Sequence, residues 1–315
     1  MTDNLRAAAI LTLSMLVFAM EDALIKALTR TLPASQVLGL LGIAGLVVFG
    51  GLLRAKGGRF WTRDLLAPAV LLRNGAEAVA AVAIVLALAL TELSTTAAIL
   101  QAVPLFITLG AVLWLGESVG WRRSTAIVLG FLGVLLVLRP GLDGFQPASL
   151  WAVVGAAGVA LRDLVTRRVP KGMNSLQLSA SAFAALLVAA PVMALLLGER
   201  PVWLDAEQAM LVLACGTVTV VGYGLLVAAT RIGEAAVLAP VRYARLVFTL
   251  VLAMVVFGER LDPTTMLGAA IIVGSGCYTF WREARLGRRR ATAAIPGGTA
   301  PLAPPPLPPD PAPPA

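Results

Sequence analysis

The sequence predicts an all-α, polytopic membrane protein with ten transmembrane helices arranged as two inverted five-helix repeats. Three observations lead there. Hydrophobic residues make up 59% of the 315 and charged residues only 13%, where an ordinary soluble domain carries about 25% charged residues. Polar side chains are therefore too few to cover a globule in water, and the mean hydropathy of +0.89 agrees. Apolar runs of about 20 residues, the length that crosses a bilayer as a helix, recur along the chain, and its second half repeats features of the first.

The spans are expected at 5–28, 34–53, 65–90, 94–115, 123–139, 149–168, 175–197, 207–230, 234–257 and 263–281. The first follows Asp3 and Arg6 and has no small-residue cleavage site before Glu21-Asp22, so it reads as a span and not as a removed signal. Connections such as "TELS" and "RIGE" are very short. Helices are the default because an open sheet edge in lipid leaves backbone groups unpaired. After "GRRR" the stretch "IPGGTAPLAPPPLPPDPAPPA" reads as a disordered or polyproline-like tail. The expected units are 1–140, 141–285 and a cytoplasmic tail at 286–315.

Lys and Arg in the connections orient the chain. With the N-terminus inside, the inner side holds Arg6, Arg54, Lys56, Arg59, Arg63, Arg122, Arg123, Arg167, Arg168, Lys171, Arg231 and the cluster from Arg282 to Arg290. The outer side holds Arg30, Arg139, Arg200 and Arg260. Both termini are expected in the cytoplasm, in a cell inner or plasma membrane. The net charge of +8 is spread over these connections, which reads as topology and not as a nucleic-acid surface.

Two stretches carry the internal repeat. "ALIKALTRTLP" (23–33) aligns without gaps on "ALRDLVTRRVP" (160–170), and residues 91–117 align on 233–259. In the second pair Glu92 falls on Glu234, Gln101 on Tyr243, and Gly116-Glu117 on Gly258-Glu259. Five spans per unit is an odd number, so the second unit enters the membrane from the opposite side. That is a common architecture of secondary transporters, with a site near the midplane between the halves.

A charge at the bilayer centre costs about 2.5–3.5 kcal/mol on the insertion scale, so the ionisable residues inside spans are the candidate site. Arg242 and Arg245 lie three apart in "LAPVRYARLVFTL"; on one helix they share a face. They are expected to line a cavity and grip a carboxylate or phosphate. The alternative is that they neutralise Glu77, Asp163, Glu21 or Asp22; both can hold, with one arginine paired and one free. Tyr243 adds a polar tip, and Pro240 a break in backbone pairing.

In the third span Arg73 and Glu77 are placed to pair at i, i+4, with Asn74 beside them. Asp22 and Lys26 are expected to pair in the same way along the first span. Arg162 and Asp163 are adjacent, hence about 100° apart on a helix, and are expected to need separate partners, with Arg242 or Lys26 open to Asp163. Gln101 approaches the site by pseudo-symmetry with Tyr243. Tyr223 is a further candidate, although Gly222 and Gly224 beside it point to packing, and Thr217 and Thr219 are polar but inexpensive. Glu77, Asp163 and Asp22 are the candidates for proton coupling. Glu117 and Glu259, at span ends, read as structural ligands.

The chain also resembles a known family. Leu115-Gly116-Glu117 with Gly130 and Gly133, and Phe257-Gly258-Glu259 with Gly268, Gly274 and Gly276, in two five-span units, look like the EamA branch of the drug/metabolite transporter superfamily over residues 5–282. The resemblance implies a ten-helix basket around a central cavity. It also implies transport of small organic metabolites, amino acids, nucleotide-linked compounds, vitamins or drugs, with export frequent.

The expected function is secondary transport of a small organic metabolite, read as carboxylate-bearing (an amino acid or organic acid), with export favoured. Glu77 and Asp163 would be available for an amine. An intramembrane enzyme or a channel is the alternative, and a vitamin, nucleotide-like compound or drug the alternative substrate. No G-x-x-x-x-G-K-[ST] or HExxH motif occurs, and there is no histidine, which argues against direct ATP hydrolysis, histidine-ligated zinc and Ser-His-Asp chemistry. Cys215 and Cys277 sit in apolar runs and read as core residues. No cofactor and no metal are expected. The partners are the lipid bilayer and a small-molecule substrate, and oligomeric state is open, with a homodimer among the options.

Overall fold

In a computed structural model, residues 2–115, 121–141, 145–170, 172–233, 238 and 240–293 are described. They are all-helical, with no strand among the described residues. The helices are α1 (Thr2–Leu28), α2 (Ala34–Ala55), α3 (Pro68–Leu90), α4 (Leu93–Leu100), α5 (Val103–Leu115), α6 (Trp121–Leu138), α7 (Leu150–Thr166), α8 (Ser175–Leu197), α9 (Ala206–Ile232), α10 (Ala244–Phe257) and α11 (Pro263–Ala293).

Local chemistry sets the ends. Pro68 opens α3 at its first position, where its missing N–H removes no helical bond. Asn174 accepts from the Gln177 amide to start α8, and Asp205 with Gln208 forms a capping box for α9. Gly198 and Gly258 end α8 and α10 with φ of 66° and 65°, a backbone state in which a Cβ is strained.

Among the described residues seven stretches are long and apolar enough to cross a membrane, and two apolar helices, Ser124–Leu138 and Ala244–Phe257, are shorter. The fourth expected span is two helices in line, broken at Gln101-Ala102. Pro104 lacks the N–H that would bond to the Leu100 carbonyl, and Ala102 bonds back to Ile99 in a tighter turn. The ninth is broken at Arg242-Tyr243, one residue before the aligned position, and α10 begins at Ala244. There Tyr243 bonds to the Pro240 carbonyl and Arg245 to that of Arg242. The third starts at Pro68, after a 3-10 turn over Arg63–Leu66. The last runs on as helix to Ala293, beyond the expected end at 281. Glu117, Glu234 and the proline-rich tail lie outside the described residues.

The packing joins the two halves of the chain: α1 against α9 and α10, α2 against α8, α3 against α7, α4 against α10, and α6 against α11. Small residues set the closest approaches. A Cβ on Gly133 of α6 would stand 2.9 Å from the Gly268 carbonyl oxygen, and one on Gly268 of α11 would stand 2.7 Å from that of Gly133. These two helices meet through bare backbone, as membrane helices do where small residues face each other. The outer surface is apolar, with Leu195 83%, Leu196 81% and Val255 77% exposed, a surface suited to acyl chains and not to water.

Candidate functional site

The sequence-selected polar residues fall into two groups. The first joins α3, α7, α8 and α9. Glu77 of α3 accepts from Arg162 Nη1 of α7 at 3.1 and 3.2 Å and lies 3.5 Å from Arg73 Nη2. Arg73 Nη1 also donates to Asn74 Oδ1 at 3.1 Å and to the Leu178 carbonyl of α8 at 3.2 Å. Asn74 donates to Ser181 Oγ at 3.1 Å. Ser179 donates to the Tyr223 hydroxyl of α9 at 3.0 Å, and the Tyr223 ring meets Phe49 edge to face with centroids 5.0 Å apart. The expected Arg73–Glu77 pair is present, but Glu77 also bridges two helices.

Arg162 and Asp163 depart from expectation. Arg162 Nε donates to Asp163 Oδ1 at 2.9 Å. The 100° offset describes where the Cβ atoms point; the long arginine chain curves back across it. Asp163 therefore takes its partner from its own helix and not from Arg242 or Lys26.

The second group joins α1, α9 and α10. Arg245 grips Asp22 through Nε at 3.0 Å and Nη2 at 2.6 Å, and its guanidinium carbon lies 5.4 Å from the Phe18 ring centroid. This is the forked geometry that arginine makes with a carboxylate. Glu21, the neighbour of Asp22, accepts from Thr219 Oγ1 at 2.6 Å.

Arg242 and Arg245 do not converge on one partner. The i, i+3 rule needs a continuous helix, and the chain turns at Arg242-Tyr243. Arg245 goes to α1. Arg242 is exposed; the charges that act on it are Asp163 and Arg162 of α7, and among the described residues it makes no hydrogen bond or ion pair. Tyr243 is a further departure. Its ring is 6% exposed and lies against Gly276 of α11, whose missing Cβ makes room for it. Its hydroxyl lies at the Gly276 backbone and is one of three buried polar side-chain atoms without a hydrogen-bond partner among the described residues. Gln101 stays half-buried at the break between α4 and α5.

Lys26 does not pair with Asp22. Its ammonium donates to the Leu88 and Thr91 carbonyls at the end of α3, at 3.2 and 2.5 Å, where the helix dipole favours a cation. It also lies 3.9 Å from Glu259. Glu259 accepts from the Leu93 and Ser94 amides at 2.7 and 3.0 Å, so the end of α10 caps the start of α4. Glu259 thus has the structural part expected of it, while Glu117 lies outside the described residues. The sequence reading passed over Ser179, Ser181 and the Leu178 carbonyl; the run "LQLSASAF" was the available signal, two serines two apart and so on opposite sides of a largely apolar helix.

Among the described residues no cluster of His, Cys, Asp and Glu is suited to a metal ion.

Comparison with known proteins points one way. Residues 146–281 match the EamA-like transporter family. An S-adenosylmethionine uptake transporter of Rickettsia conorii is 28% identical over 208 residues, covering 64% of this chain and 68% of that protein. A riboflavin transporter of Vibrio cholerae is 31% identical over 202 residues, covering 62% and 65%. The pseudopaline exporter CntI of Pseudomonas aeruginosa is 26% identical over 280 residues, covering 86% and 95%. One solved crystal structure shares the fold at a TM-score of 0.56 and 22% identity, over 89% of this chain and 99% of that one.

Proposed function

Because residues 146–281 match the EamA-like transporter family, we propose that the whole chain is a secondary transporter. It carries a small organic metabolite across a cell membrane by alternating access, between two inverted units at 1–140 and 141–285, with both termini cytoplasmic. The helix pairing supports the inversion. First span with eighth, third with sixth, second with seventh, fourth with ninth and fifth with tenth is the pattern generated by a two-fold axis in the membrane plane. The breaks at Gln101-Ala102 and Arg242-Tyr243, within one residue of alignment, support it too, since a helix interrupted within the bilayer is tolerated where it borders a site.

The single observation that carries the substrate reading is Arg242. It is a permanent cation in a membrane segment, exposed, with no hydrogen bond or ion pair among the described residues, beside the Arg162–Asp163–Glu77 network. An anionic group on the substrate would complete it. We therefore assign a carboxylate-bearing metabolite, with Arg242 as its binding residue, Arg73, Asn74, Glu77, Arg162, Asp163 and Tyr223 as the adjoining polar wall, and Gln101 at the opposite break. Arg245 and Asp22 brace this wall from α1. A substrate with a planar heterocycle is the second reading, favoured by the relatives named for riboflavin and S-adenosylmethionine; the latter compound also bears an amino-acid carboxylate. Export gains no support from relatives named for both uptake and export.

Untargeted metabolite profiling of cells and medium, with and without the gene, tests the reading. A carboxylate-bearing compound should change its distribution across the membrane, and the change should vanish when Arg242→Ala replaces the wild type. No redistributed compound, or redistribution indifferent to Arg242, contradicts it.

A further inference from the structure

Four carboxylates belong to the two polar groups. Three of them are held by guanidinium groups: Asp22 by Arg245, Glu77 by Arg162 and Arg73, and Asp163 by Arg162. Protonating any of these sacrifices an ion pair, and for Asp22 and Glu77 one whose carboxylate is largely shielded from solvent. Glu21 is different. Its one hydrogen bond among the described residues comes from the Thr219 hydroxyl at 2.6 Å, and no cation lies within ion-pair distance of it. It is half-buried.

Thr219 suits both protonation states. Its Oγ1 lies 2.6 Å from Glu21 Oε1 and 2.9 Å from the Cys215 carbonyl oxygen. With Glu21 ionised, the threonine proton points at the carboxylate. With Glu21 protonated, the new O–H donates to Thr219 Oγ1, and the threonine proton turns to the Cys215 carbonyl. Neither state leaves a buried donor unpaired, which is the costly outcome.

The groups facing Glu21 are few. On α1 there is Asp22; from α9 come Thr219 and the Cys215 thiol, and from α10 Arg245. The charged residues of α3, Arg73 and Glu77, bond to α8 and α7, and α4 has no titratable residue. Glu21 and Asp22, adjacent on α1, face α9 and α10 respectively. When Glu21 is protonated, one carboxylate balances Arg245. When it is ionised, two carboxylates compete for one guanidinium, and the Arg245–Asp22 clasp between α1 and α10 loosens.

We propose that Glu21 is a proton-binding site of this protein, taking a proton from water on one side of the membrane and returning it to water on the other. Its charge acts on α10, and so on the break at Arg242, through Arg245. No other bond is made or broken. The coupling role rests on the transporter reading; the protonation itself does not.

Two measurements keep them apart. Infrared titration of the purified full chain reads carboxylic acid directly. A protonated-carboxyl band is expected that titrates with pH, disappears in Glu21→Gln, survives in Glu77→Gln, and shifts in frequency in Thr219→Val. No such band, or a band unmoved by both Glu21→Gln and Thr219→Val, overturns the proposal whether or not the protein transports anything. In proteoliposomes probed with S-adenosylmethionine and riboflavin, an imposed pH gradient should drive accumulation by the wild type and not by Glu21→Gln. Accumulation by the variant at the wild-type level overturns the coupling role. Wild-type vesicles that accumulate neither probe while the band is present contradict the heterocycle reading of the substrate, and not Glu21.

Discussion

Arg245 holds Asp22 through two hydrogen bonds across 223 positions of sequence, whereas Arg242, three residues earlier, makes no hydrogen bond or ion pair among the described residues. Two arginines that look equivalent in the sequence thus divide the work. One ties α10 to α1, and the other is the residue proposed to meet a ligand.

The clasp should be a stability element. Removing one partner of a buried pair costs about 3–5 kcal/mol, because the other charge is stranded. Arg245→Ala is expected to lower the melting temperature of the purified protein markedly, and Asp22→Asn in the same chain to recover part of that loss. A double-mutant cycle on thermal unfolding checks this; additive losses would mean that the two side chains do not interact.

Glu259 should act as a cap made in trans. It satisfies two backbone amides and the Ser94 hydroxyl at the start of α4. Glu259→Ala is expected to cost about 1–2 kcal/mol, the range for losing a helix cap, and Ser94→Ala less. Melting curves of the two variants decide the order.

Gly276 makes room for Tyr243. Its substitution by alanine should cost about 1–3 kcal/mol, as overpacking does, and Tyr243→Leu should relieve that cost. Equal destabilisation by Gly276→Ala in both backgrounds would show that the ring is not what the methyl group meets.

The sequence made some of this legible and hid the rest for physical reasons. The apolar runs located the helices because run length is set by the bilayer and needs no partner. Arg73–Glu77 was readable because both ends lie on one helix. Asp22–Lys26 had the same spacing and failed, since α3 ends beside Lys26 and offers carbonyl oxygens that no periodicity reveals. Arg242 and Arg245 failed as a pair because a break between them redirects the side chains, and Tyr243 because a glycine on α11, 33 positions away in sequence, opened a slot for it. Spacing within a helix reports Cβ directions; it does not report which neighbour arrives, nor how far a long side chain bends to meet it.

The central claim is that Arg242 is the residue left for the substrate's anionic group. The direct measurement is transport by purified wild type and Arg242→Ala in proteoliposomes, over a panel of carboxylate-bearing metabolites together with S-adenosylmethionine and riboflavin. A charge-assisted hydrogen bond contributes about 1.5–3 kcal/mol. For at least one carboxylate-bearing compound that the wild type carries, Arg242→Ala should therefore reduce transport about tenfold or more, with melting temperature unchanged. Wild-type rates in Arg242→Ala for every compound carried would contradict the account.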